Sequence, residues 1–233
     1  MLPALVAETW DAVAGAVIVH GGGDEVSALQ KSLGVEAQFV DGKRVTSAQD
    51  VDIVRMALSG TANKRLVSAL VHEGVRAVGL SGEDASLIAA TPVDPARLGF
   101  VGAPQRVNSS LIQHLIDGGY LPVISPVSRN VGYELGPALN VNADDAAAAV
   151  AIAIEADELT IVSDVPGVLV DGAPVGRLTR HTARALMANG RASGGMHAKL
   201  TAAITAVEGG VGRVRITDLA GIKDAGRGTL VVS

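Results

Sequence analysis

An apolar strand that runs directly into three glycines and a helix start, Val17-Ile18-Val19-His20-Gly21-Gly22-Gly23-Asp24, constrains this chain more than any other stretch. Glycine has no Cβ, so its backbone can close on a ligand. The unpaired N–H groups that open the following helix carry partial positive charge toward negative oxygens. The junction therefore predicts a seat for a phosphoryl or carboxylate group. Read alone, the glycines favour a plain strand-to-helix turn that uses them only for their dihedrals; four later motifs reverse that balance.

With 233 residues, 48% of them hydrophobic and 18% charged, the chain is long enough to bury a substantial core and reads as one globular α/β domain with two lobes. A net charge of −5, with no run of Lys or Arg, gives no surface for nucleic acid. The absence of cysteine removes disulfide and thiolate chemistry and agrees with a reducing compartment. Glu8 and Asp11 stand where a signal peptide would carry positive charge, and no apolar run approaches the length that crosses a bilayer. The sequence reading is thus a cytoplasmic protein without membrane or nucleic-acid partners, acting on small metabolites.

Periodicity predicts a helix over 3–13, with Leu5, Val6, Trp10 and Val13 on one face, and a short strand over 16–19. A helix over 24–33 follows, closed by Gly34, then a hairpin over 39–45 turning at Asp41-Gly42. Next come helices over 48–58 and 62–73, a strand over 75–80, a second hairpin around 98–107, a helix over 109–117 and a strand over 121–125. An irregular stretch carrying Asn130, Gly132 and Gly136 leads to an alanine-rich helix over 144–155 and a strand over 159–162. Helices over 182–188 and 196–207 and strands over 213–216 and 229–232 complete the reading. This alternation implies a mostly parallel open sheet sandwiched between helices, with ligands at the carboxyl ends of the strands.

Four further motifs fall at such ends or on loops that could cover them. Arg44-Val45-Thr46 closes the first hairpin, where Arg44 is either a solvated charge or a planar fork for a carboxylate. Asn140-Val141-Asn142-Ala143-Asp144 precedes the alanine-rich helix; Asn142 or Asp144 can cap it, leaving Asn140 to face a ligand. Ser163-Asp164-Val165-Pro166-Gly167-Val168 follows a strand, as a plain turn or a nucleotide contact. Ser193-Gly194-Gly195-Met196-His197-Ala198-Lys199 opens a helix from two glycines and sets Lys199 in its first turns, as an exposed lysine or a phosphate-spanning charge.

Taken in order, His-Gly-Gly-Gly, Arg-Val-Thr, Asn-Val-Asn-Ala-Asp, Ser-Asp-Val-Pro-Gly and Gly-Gly-Met-x-x-Lys resemble the amino acid kinase family, and within it the enzymes that phosphorylate N-acetyl-L-glutamate. Val78-Gly79-Leu80-Ser81-Gly82 and Gly119-Tyr120-Leu121-Pro122-Val123-Ile124 match as well, so the resemblance covers nearly the whole chain. It implies a three-layer fold and transfer of phosphoryl from ATP, carrying Mg2+, to the side-chain carboxylate of N-acetyl-L-glutamate, giving an acyl phosphate in arginine biosynthesis. A glutamate-type carboxylate has a pKa of about 4 and is already ionised at neutral pH, so such a reaction needs positioning and charge neutralisation rather than a general base.

The same resemblance implies an acceptor lobe over about 1–155 and a nucleotide lobe over about 156–233. In the first, Gly22 and Gly23 hold the reacting end of the acceptor, Arg44 clamps its α-carboxylate and Asn140 completes the pocket. Lys199 stabilises the transferred phosphoryl group and Asp144 orients that lysine. Asp164, Val165, Pro166, Gly167, Val168 and Leu169, with Arg191, Ala192 and Ser193, line the nucleotide site. No residue is assigned to hold a metal, and a homodimer is expected by analogy.

One departure stands out. Family members open with an apolar strand and Lys-x-Gly-Gly, whereas this sequence begins in what should be the next helix, and neither Lys31 nor Lys43 has that context. A start codon placed too late is the favoured expectation, against an enzyme that substitutes for the lysine or an inactive relative. The stretch 218–228 is also shorter than usual. Competing activities are a kinase for aminoadipate or glutamate held on an acidic carrier protein in lysine biosynthesis, and a non-catalytic metabolite sensor. A dinucleotide-binding dehydrogenase is disfavoured because the loop does not read G-x-G-x-x-G.

Overall fold

The computed structural model describes residues 2–10, 15–40, 43–133 and 136–233. Two compact units result, Met1–Ala146 and Ala147–Ser233. The first contains α1 (Leu2–Trp10), β1 (Ile18–Val19), α2 (Gly23–Ser32), β2 (Phe39–Val40), β3 (Lys43–Arg44) and α3 (Ala48–Arg55). After a π-helical segment, Met56–Ala62, come α4 (Asn63–His72), β4 (Ala77–Gly82), β5 (Ile88–Pro92), α5 (Pro95–Leu98), β6 (Val101–Val107), α6 (Ser109–Asp117), β7 (Leu121–Asn130) and β8 (Leu139–Val141). Helix α7 (Ala143–Ala153) spans the division between the units. The expected helical face through Val13 and the turn at Asp41-Gly42 lie outside the described residues, as does the side chain of Trp10.

Strand β7 is the spine of a six-stranded sheet. It pairs in parallel with β1, β4 and β5 and antiparallel with β8, while β6 pairs antiparallel with β5 and in parallel with β8. Residues Leu121 to Ser128 are all buried, so both faces of β7 are covered and its sequence is mostly apolar without alternation, with Ser125 and Ser128 as its buried polar members. Two prolines sit inside it. The register against β4 slips where Ser81 faces Ser125 and Gly82 faces Ser128, and Pro126, which has no N–H to give a ladder, lies within that slip. Leu70, Val75, Leu121 and Val123 form one core beneath α4, joined by Val6 from α1 and Ile18 from β1.

Two expectations are corrected here. The helices expected over 48–58 and 62–73 form one continuous run, because Ala57, Leu58 and Ala62 are buried and their packing outweighs the roughly 1 kcal/mol cost of Gly60 in a helix. The hairpin expected around 98–107 has its first strand farther upstream: β6 pairs with β5, and Leu98 belongs to the helical turn α5. Ile88, Ala89 and Ala90 are fully or almost fully buried, a short apolar run without the alternation that marks a strand.

The second unit holds β9 (Glu158–Val162), β10 (Leu169–Val170), β11 (Ala173–Pro174), β12 (Arg177–Thr179), α8 (Arg180–Ala188), α9 (Gly194–Glu208), β13 (Arg213–Thr217), a 3-10 turn at Leu219–Ile222 and β14 (Thr229–Val232). Its four-stranded sheet runs β12-β14-β13-β9, with β12/β14 and β13/β9 parallel and β13/β14 antiparallel. Ala202, Ala203 and Ala206 are fully buried on α9, and their small side chains let that helix lie close against Val214, Ile216 and Val231 in a common core. Buried Arg215 pairs with Glu158 at 3.0 Å, and its Nη1 donates to the carbonyls of Gly221, Asp224 and Arg227, which fixes the loop before β14. The expected α/β class holds, with parallel pairs predominating in mixed sheets. Among the described residues no helix is long and apolar enough to cross a membrane.

Candidate active site

Strand β1 delivers the chain to Gly21, and α2 begins two residues later. Gly22 sits at φ 154°, a backbone region that suits only glycine, and a Cβ there would lie 2.8 Å from Leu58 Cδ2. Gly23 differs: nothing approaches within 4 Å of where its Cβ would stand, so its outer side is open. Among the described residues neither the Gly22 nor the Gly23 N–H donates to an acceptor. A mouth of free amides at a helix start is thus present, flanked by Asp24 and Glu25 in the first turn. Glu25 is drawn aside by Arg65, 2.6 Å away.

Arg44 on β3 reaches across to this helix start. Its Nη2 donates to Gly23 O at 3.1 Å and to Ser27 Oγ at 2.7 Å, its Nη1 donates to Gln30 Oε1, and its guanidinium lies 4.8 Å from the centre of the Phe39 ring. Gly23, Ser27 and Gln30 are spaced i, i+4, i+7, which places them on one face of α2. Gln30 is buried, and its Nε2 donates to Asp50 Oδ1 at 2.8 Å. Asp50 in turn closes a capping box with Ser47 at the start of α3. Burial pushes the Arg44 pKa down and Asp50 opposes that. Burial also pushes the Asp50 carboxyl up, but donation from the Ser47 hydroxyl and amide and from Gln30, with the charge of Arg44, outweighs it and holds the pKa below its ordinary value.

Asn140 joins the same assembly. Its Nδ2 donates at 3.0 Å to the hydroxyl of fully buried Thr46, two residues beyond Arg44, and its N–H donates to Phe100 O. Asn142 caps α7: its Oδ1 accepts from Asp144 N at 2.8 Å and from Asp145 N at 3.3 Å. That decides between the two capping candidates. Asp144 is half-buried in the first turn of α7, and burial pushes the pKa of its neighbour Asp145 up, against the pull of Lys43. The helix start also touches the glycine loop, since a Cβ on Gly21 would meet Ala143 Cβ at 3.4 Å. The structure therefore gathers Gly22, Gly23, Arg44 and Asn140 in the first unit, with Asp144 on the adjoining helix.

In the second unit, exposed Asp164 follows β9 and accepts from Ser163 Oγ at 3.2 Å. Val165 and Pro166 lead to Gly167, whose Cβ would fall 2.7 Å from Thr229 Oγ1, and that hydroxyl accepts from buried Val168 N at 2.8 Å. Leu169 starts β10. Arg191 faces Asp171 at 3.4 Å, Ala192 is buried in the same core as Val168, and Ser193 is the N-cap residue of α9 without a side-chain cap bond. Lys199 is half-buried on α9, six residues after Ser193. Among the described residues no three His, Asp or Glu side chains cluster as a metal cage.

Sequence reasoning gave no role to Ser27 and Gln30, which hold Arg44, to Thr46, which holds Asn140, or to Asn63, whose Nδ2 lies 3.0 Å from Nε2 of His20 before the glycine loop. The polar stripe Gly23, Ser27, Gln30 at helical spacing was the available signal for the first two.

The profile of the amino acid kinase family matches residues 4–218. The chain belongs to the amino acid kinase family. Among its relatives, acetylglutamate kinase of Chloroflexus aurantiacus is 49% identical over 212 residues, covering 90% of this chain and 83% of the relative. Acetylglutamate kinase of Geobacillus kaustophilus is 44% identical over 200 residues, covering 86% and 76%. Among solved structures, smu.665 from Streptococcus mutans UA159 superposes with a TM-score of 0.88 at 30% identity, covering 99% of this amino acid kinase and 91% of that chain.

Proposed function

We propose that this kinase transfers the γ-phosphoryl group of ATP to the side-chain carboxylate of N-acetyl-L-glutamate, as a step of arginine biosynthesis in the cytoplasm. A carboxylate oxygen bonds to phosphorus, the bond from phosphorus to the β–γ bridging oxygen breaks, and ADP departs with that oxygen. The acceptor is already ionised, so no proton has to be removed. The observation that carries this reading is the 49% identity, over 90% of the chain, to a protein named acetylglutamate kinase.

The geometry of the first unit supports it. Arg44 is held beside the start of α2 by three bonds, through Nη1 to Gln30 and through Nη2 to Gly23 O and Ser27, which fixes its positive charge where it would meet the acceptor's α-carboxylate. The free amides of Gly22 and Gly23 would receive the reacting carboxylate and the phosphoryl oxygens, with Asn140 completing the acceptor pocket. Lys199 would neutralise charge on the transferred group, Asp144 would serve as the orienting carboxylate, and Asp164 to Leu169 with Arg191, Ala192 and Ser193 would hold the nucleotide. Mg2+ would travel on the ATP phosphates. The acceptor role belongs to the first unit, the nucleotide role to the second, and the working form is a homodimer.

The test is to incubate protein, ATP, Mg2+ and N-acetyl-L-glutamate with hydroxylamine, which traps an acyl phosphate as a hydroxamate, and to follow ADP release in parallel. Acceptor-dependent ADP with stoichiometric hydroxamate is expected. Calorimetric binding of both ligands without product would replace this reading by that of a metabolite sensor.

A further inference from the structure

His20, the residue between β1 and the glycines, has no part in the function proposed above, yet both of its ring nitrogens are engaged. Nε2 lies 3.0 Å from Asn63 Nδ2, and Nδ1 lies 2.9 Å from Gly21 O. Asn63 is fully buried at the point where the π-helical segment passes into α4, and its amide cannot be turned round. Its Nδ2 also donates to Val123 O at 2.9 Å, with Leu80 O farther off at 3.4 Å against 3.0 Å for His20 Nε2, and its Oδ1 accepts from Lys64 Nζ at 3.0 Å. Nδ2 therefore presents a hydrogen to His20, so Nε2 must be the acceptor and the imidazole proton must sit on Nδ1. Nδ1–H then donates to Gly21 O.

The peptide between Gly21 and Gly22 is trans, like every described peptide, so its carbonyl and N–H point in opposite directions. Holding the Gly21 carbonyl thus fixes the direction of the Gly22 N–H, one of the two amides without an acceptor. We infer that His20, locked as the neutral Nδ1–H tautomer by Asn63, is a positioning residue that aims the Gly22 amide at the group being transferred. This rests on the function proposed above for the reaction, though not for the tautomer. Protonating Nε2 would set two donors against each other at Asn63 and release the ring. Burial lowers the His20 pKa below 6.5, aided by Lys64 and opposed by Gly21 O and Glu25; Arg65, which lines the same cleft, is paired with Glu25.

Three variants and one spectrum test it. In His20→Asn the short amide keeps a donor near the Nδ1 position; His20→Gln keeps an acceptor near Nε2; His20→Ala keeps neither. His20→Ala and His20→Gln should lower kcat by about tenfold or more, the scale of one misaligned donor, with KM for ATP within about twofold, whereas His20→Asn should stay within about threefold of wild type. Wild-type kcat should fall as pH drops through the His20 pKa, at a midpoint below 6.5, and His20→Asn should lose that limb. Equal rates for the Asn and Gln variants, at matched thermal stability, would overturn the proposal. Nitrogen-15 spectra of the wild-type imidazole should show the proton on Nδ1, and a proton on Nε2 would overturn it without any assay. Should wild type make no acyl phosphate from N-acetyl-L-glutamate, the proposed function fails, and the spectrum still judges His20.

Discussion

Replacing Arg44 with alanine separates two roles that the structure superimposes on one side chain. As a strut, Arg44 satisfies Gln30, which is 1% exposed, and removal leaves Gln30 Oε1 buried without its donor. That costs about 1–3 kcal/mol. Loss of the stacking on half-exposed Phe39 adds about 0.5–1 kcal/mol, while Gly23 O and Ser27 Oγ are open enough to bond water instead. A stability loss of about 2–3 kcal/mol is expected, read as a shift in the urea midpoint by circular dichroism. As a clamp, a charge-assisted pair to the acceptor's α-carboxylate is worth about 1.5–3 kcal/mol, so KM for N-acetyl-L-glutamate should rise about ten- to a hundredfold while KM for ATP stays put. Adding Gln30→Leu to Arg44→Ala removes the stranded oxygen, so the double variant should be more stable than the sum of the single losses by about 1–2 kcal/mol. A full stability loss with an unchanged acceptor KM would refute the clamp and leave Arg44 as a strut.

Lys199→Ala should depress kcat by about a hundredfold or more with little change in acceptor affinity by calorimetry, since it removes charge felt mainly in transit. Gly79→Ala should destabilise severely, by about 2–4 kcal/mol in thermal unfolding, because the added Cβ would lie 2.1 Å from Asn63 Oδ1 inside the buried network under His20. Asp50→Asn should lower stability at neutral pH and lose that effect in acid. The native Asp50 pKa lies below its ordinary 3.8, so the stabilisation is present above that value and disappears as pH falls through the lowered one; paired melts at neutral pH and near pH 3 give the comparison.

The sequence carried the glycine loop, the hairpin arginine and the long amphipathic helices because each leaves a local mark: a turn residue, a charge beside a turn, a 3.6-residue period. Strands β5 and β8 left none, since Ile88-Ala89-Ala90 and Leu139-Asn140-Val141 are too short to show a period and gain their partners from distant β6 and β7. Gly60 misled in the other direction, reading as a break where burial carries the helix through. Asn63 was illegible for a related reason. A polar residue in a helix ordinarily marks the solvent face, and only the fold reveals that this one looks inward at His20, Val123 and the backbone of Leu80.

The π-helical segment has a consequence for how this region tolerates insertions and deletions. Such a segment takes up a surplus residue in its widened turns, so that the helix after it keeps nearly the heading it would have without that residue. Each residue of an α-helix advances the heading by about 100° and each residue of a π turn by less, so the 7 residues Met56–Ala62 turn the chain about as far as six α-helical ones would, and excising one while regularising the coil would leave Asn63 facing its neighbours on β4 and β7. The widened turns are therefore the place in this helical run where one residue can be lost with the polar wedge kept in position, whereas the same deletion in α3 would turn Asn63 by about 100°.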